Sequence, residues 1–114
     1  MNDAKAVAFL QELLVKTREG KIHWEPTVVD HTYVSAFGGK FGLAISSNAY
    51  LSAESLPSCL LRVDDRGREV IRIAPEEPGV LADNLEELFE TVQKQALLVD
   101  DSKLDSVLAE LHRL

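Results

Sequence analysis

One cysteine, Cys59, is all the chain holds, so no disulfide can form within it and the fold has to rest on packing alone. Nothing approaches the ~20 consecutive apolar residues of a membrane-spanning helix. The opening Met1-Asn2-Asp3-Ala4-Lys5 mixes acid and base, which is unlike the basic-then-apolar order of a secretory signal. A reducing cytoplasm is therefore the expected compartment. Positive charge is short as well, with twelve Lys and Arg against nineteen Asp and Glu, a net of −7. Such a balance opposes binding to nucleic acid phosphates or anionic membranes. There is no glycine-rich phosphate loop either: Gly38-Gly39-x-x-Gly42 opens an extended run, whereas the dinucleotide fingerprint opens a helix.

Recognisable catalytic chemistry is missing too. Cys59 sits mid-strand without an adjacent His or Lys to lower its pKa, and no serine lies in a nucleophile elbow. Asp64-Asp65 and Glu76-Glu77 lack the spaced ligand series of a calcium loop. No residue set calls for a metal, a cofactor or a catalytic role.

What is present is alternation. Between His31 and Ala74 four extended runs follow one another: 31–37, 40–47, 58–64 and 68–74. In the second, Phe41, Leu43 and Ile45 fall at every other position, and Ile71 and Ile73 repeat the pattern in the fourth. That is the period of a strand. Gly38-Gly39 stands where a two-residue hairpin needs positive φ angles, and Asp64-Asp65-Arg66-Gly67 supplies the turn between the last two runs.

Helical spacing flanks this meander. From Asp3 to Glu19, Ala6, Val7, Phe9, Leu10, Leu13, Leu14 and Thr17 form one apolar stripe. Asn2 or Asp3 suits its N-cap, and Gly20 its left-handed end. Trp24, the only tryptophan, is placed to anchor the helix exit against the sheet. After Pro75 and Pro78-Gly79 a second helix is expected to about Leu97, capped by Asp83 or Asn84, with Leu85, Leu88, Phe89, Val92 and Ala96 inward. Asp100-Asp101-Ser102 would cap a third, bearing Leu104, Val107, Leu108 and Leu111.

The expected architecture is a single α+β domain over residues 1–114: an N-terminal helix, a four-stranded antiparallel meander and two C-terminal helices covering one sheet face. The opening Leu13-Leu14-x-Lys16-Thr17-x-x-Gly20-Lys21-Ile22-x-Trp24-Glu25 resembles that of a group of small uncharacterised bacterial proteins. The end of the chain, with Leu85-x-x-Leu88-Phe89, Gln95-Ala96-Leu97 and Val99-Asp100-Asp101, is similar to their closing helices. The resemblance covers roughly a third of the chain; it implies a bacterial α+β domain and no activity.

Residues 76–114 carry three Lys and Arg against ten Asp and Glu, so the last third holds the whole imbalance. One expectation is thus a non-catalytic interaction domain, of the inhibitor, immunity-protein or chaperone kind, meeting a basic protein or a second copy of itself. Its contact residues would be Glu86, Glu87 and Glu90 on the acidic helix, or Gly42, Ala44 and Ser46 on the small-residue side of the second strand. That side is either solvent-facing or a flat surface for close approach. The other expectation is a small enzyme or ligand-binding domain using a pocket beside the 47–57 loop, with His23, Glu25, Asp30 and His31 as its polar groups.

Overall fold

A computed structural model describes residues 3–47 and 59–114, with the side chains of 97–103 excepted. Tyr50, Leu51 and Leu56 of the long loop fall outside these residues. The order is α1 (Asp3–Arg18), β1 (Glu25–Pro26), β2 (Thr32–Phe37), β3 (Phe41–Ser47), β4 (Cys59–Asp65), β5 (Arg68–Ile73) and α2 (Val80–His112). The strands form one antiparallel sheet in sequence order.

Four of the five strands are those the alternation predicts. The fifth, β1, pairs Glu25 with Val34 and Pro26 with Tyr33. Two residues are too few to show a period, and the pairing is non-local, so the described residues form five strands where four were expected.

The end of α1 follows its local sequence closely. Gly20 takes φ 76°, its N–H donates to the Thr17 carbonyl at 3.1 Å, and that of Lys21 donates to Lys16 at 2.9 Å. This doubly bonded glycine cap satisfies carbonyls the helix end would leave open. At the first hairpin Gly38 and Gly39 both have positive φ. The connection holds three residues and not two, because pairing ends with Phe37 opposite Phe41. The last hairpin turns on Arg66-Gly67 alone, with φ 52° and 86° and Asp65 opposite Arg68. Both signs are positive, so this is a mirror-type hairpin turn, and Arg66 occupies a conformation that L-residues seldom adopt.

Inner-facing residues align across the strands: Tyr33, Ile45, Leu61 and Ile73 form one row, and Ser35, Leu43, Val63 and Ile71 the next. Leu43, Ile45, Leu61, Val63 and Ile73 are buried with Leu10, Leu13, Leu14, Leu85, Leu88 and Val92 from the two helices. The core is thus one layer between the sheet's inner face and an α1–α2 pair, as the alternation of β3 requires.

Both helical stretches expected after the sheet form, but they run together as one helix. No glycine or proline occurs from Val80 to His112, and aspartate or serine inside a helix costs well under ~1 kcal/mol each. The Asp100-Asp101-Ser102 cap therefore has no break to cap. Nor do Asp83 and Asn84 begin the helix. Gly79 is the N-cap, without a side-chain hydrogen bond, and the Asn84 amide donates to the Val80 carbonyl at 2.8 Å.

Polar groups lock the middle of α2 in place. Trp24 is 1% exposed; its indole N–H donates to the Thr17 hydroxyl at 3.0 Å. Its backbone N–H donates to the Gln95 Oε1 at 2.8 Å. The Gln95 Nε2 in turn donates to the carbonyls of Ile22 at 3.1 Å and Thr17 at 3.3 Å. One α2 side chain thereby satisfies three backbone groups of the α1 exit. Trp24 does anchor that exit, and its partners lie on the helices.

Candidate interaction surface

The acidic residues singled out on α2 are neighbours on one helix, Glu86 and Glu87 lying four and three residues before Glu90, on the side away from buried Leu85, Leu88 and Phe89. Glu87 pairs with Arg18 of α1 at 2.9 Å, and Glu86 and Glu90 act electrostatically on Cys59 of β4.

Cys59 itself is buried. Burial pushes its thiol pKa up, the two glutamates add to the rise, and a hydrogen bond with Ser47 opposes it. The neutral thiol is therefore favoured in the fold, and a protonated thiol is a poor nucleophile. Iodoacetamide in native buffer is expected to label Cys59 at the rate of transient opening, far below the rate in denaturant. The raised pKa also means stability falls as pH climbs past the ordinary thiol range, because the unfolded chain releases its proton first. A Cys59→Ala variant should lose that alkaline dependence; rapid native labelling at neutral pH would contradict this account.

Gly42, Ala44 and Ser46 lie on the outer sheet face, half-buried; α1 and α2 both pack on the inner one. Next to them, Arg62 stands opposite Arg72 across β4 and β5. The two like charges are offset locally, Arg62 by Asp64 at 3.4 Å and Arg72 by Glu69 at 2.7 Å. The arginines thus pair with surface carboxylates.

Of the four polar residues of the expected pocket, His23 and Glu25 line a shallow depression of about 420 Å³, with Lys21, Val34, Ser35 and Ala36. Asp30 and His31 are not among its lining residues; they belong to the turn before β2. Its backbone geometry is stabilised by Thr27, whose hydroxyl accepts from the Val29 N–H at 3.1 Å, and His31 takes φ 55°. No three His, Cys, Asp or Glu among the described residues gather as a metal would need. A larger cleft, about 790 Å³, lies where the starts of α1 and α2 meet the 75–79 connection.

The surface the sequence did not reveal is the far half of α2. Every residue from 104 to 114 is exposed. Leu104, Val107, Leu108 and Leu111 are 56, 56, 43 and 58% exposed, and Leu114 wholly so. Their spacing is that of a buried helix stripe, and for that reason they were expected to help cover the sheet. A helix of 33 residues is about 50 Å long, which nearly matches the 56 Å longest dimension of the molecule. Its last turns extend beyond the core they would have had to reach. An apolar stripe left in water on a projecting helix is the usual mark of a contact surface.

Among the described residues, no helix is long and apolar enough to cross a membrane. Against protein-family models, curated proteins and solved structures, the chain finds no match.

Proposed function

We propose that this chain is a non-catalytic protein-interaction domain of the cytoplasm whose contact surface is the far half of α2. The observation that carries the reading is the stripe Leu104, Val107, Leu108 and Leu111, periodic as a core face yet open to water. The remainder of the domain serves as a rigid base: the bonds of Gln95 to Trp24, Ile22 and Thr17 fix where α2 emerges. Inhibitor, immunity or chaperone-like roles all fit a small domain presenting one amphipathic helix. The acidic body disfavours nucleic acid and anionic membrane as partners.

The test is photocrosslinking in cells from a benzophenone side chain placed at Leu108 or, for comparison, at Ala44 on the outer sheet face. Protein adducts from position 108 that disappear when Leu104 and Leu111 are aspartate are expected. Adducts from position 44 alone would move the contact to the sheet, and adducts from neither would overturn the reading.

A further inference from the structure

We infer that the far half of α2 pairs with the same segment of a second copy, the two helices running antiparallel. This rests on the reading of that half as the contact surface, and it names the occupant. Charge makes the first argument. Residues 76–102 hold eight acids against Lys94 alone, whereas 103–114 hold Asp105 and Glu110 against Lys103 and Arg113, a net of zero. A basic partner would be drawn to the acidic stretch; the apolar stripe lies on the neutral one, where like can approach like.

Side-chain order makes the second. Asp105 and His112 are seven residues apart and share one flank of the stripe, while Val107 and Leu114, also seven apart, share the other. About a two-fold axis near Leu108, an antiparallel copy sets Asp105 against the partner's His112 twice on one flank. Between the flanks Leu104, Leu108 and Leu111 of the two copies face one another. Parallel pairing would instead put Asp105 and His112 on the same flank without facing each other and lay the two acidic bodies side by side. The antiparallel form holds the buried Ala96 of each α2 roughly 35–40 Å from its counterpart along the axis, well beyond the ~8–10 Å screening length.

Area sets the strength. Each stripe offers on the order of 500 Å², so two reach the ~1,000 Å² at which specific interfaces begin. A reversible dimer of about micromolar affinity is expected.

Sedimentation equilibrium on the purified chain up to about 300 µM tests this. The expected result is a monomer–dimer equilibrium that Leu108→Asp weakens at least ~100-fold, with the circular dichroism spectrum and unfolding midpoint of the dilute protein unchanged. Asp105→Arg should weaken pairing several-fold, and adding His112→Glu should restore it, since the two introduced charges are opposite and face each other in the antiparallel register alone. A wild-type chain that stays monomeric, a dimer indifferent to Leu108→Asp, or a double variant that fails to recover would each overturn the inference. A monomeric chain that still gives adducts to another protein from position 108 removes the second copy and leaves the contact surface standing.

Discussion

Replacing Trp24 by alanine is expected to lower the unfolding free energy by about 3–5 kcal/mol, measured by urea titration followed by circular dichroism. Two losses combine. The indole is almost wholly buried, so its removal leaves a large cavity among α1, α2 and the sheet, and it strands the Thr17 hydroxyl that accepted its N–H at 3.0 Å. Domains of this size have only about 5–15 kcal/mol in hand, so the variant should be close to the threshold of folding. Trp24→Phe separates the terms: most of the packing stays and the hydrogen bond goes, for a loss of about 1–3 kcal/mol. A Trp24→Ala loss below ~1.5 kcal/mol would mean that the site collapses freely and that Trp24 is no anchor.

Leucine-to-alanine changes along α2 should behave in two distinct ways. Leu88 is fully buried, and its truncation is expected to cost about 2–5 kcal/mol through lost burial and an unfilled cavity. Leu108 is 43% exposed and touches no part of the core, so the same change should leave the dilute chain within ~0.5 kcal/mol of the parent. The comparison is internal, with one helix, one substitution and one assay. Equal losses at both positions would show that the far half packs on the domain after all.

This division was invisible in the sequence. Leu104, Val107, Leu108 and Leu111 repeat the three-four spacing of Leu85, Leu88 and Val92, and a period tells only that a face wants cover. Whether cover is present depends on where the helix points, and that follows from its unbroken run from Val80 to His112 and from bonds made at Gln95. Gln95 itself looked like any exposed glutamine, because the groups it satisfies, at Thr17, Ile22 and Trp24, lie over seventy residues away. The candidate pocket fared the same way: His23 and Glu25, two apart on an extended segment, share a depression. The joining of Asp30 and His31 to them depended on a turn whose course no local rule supplied.

Residues interacting with near neighbours were readable from the chain alone. The glycine at the end of α1, the paired glycines after β2 and the alternation of Phe41, Leu43 and Ile45 each express steric or solvation preferences within a few residues, and each set an element or a face. The tertiary structure alone decided the fifth strand and the exposure of Leu104, Val107, Leu108 and Leu111. Both are set by how segments far apart in sequence come together, with a free energy that appears only once the chain has closed around its core.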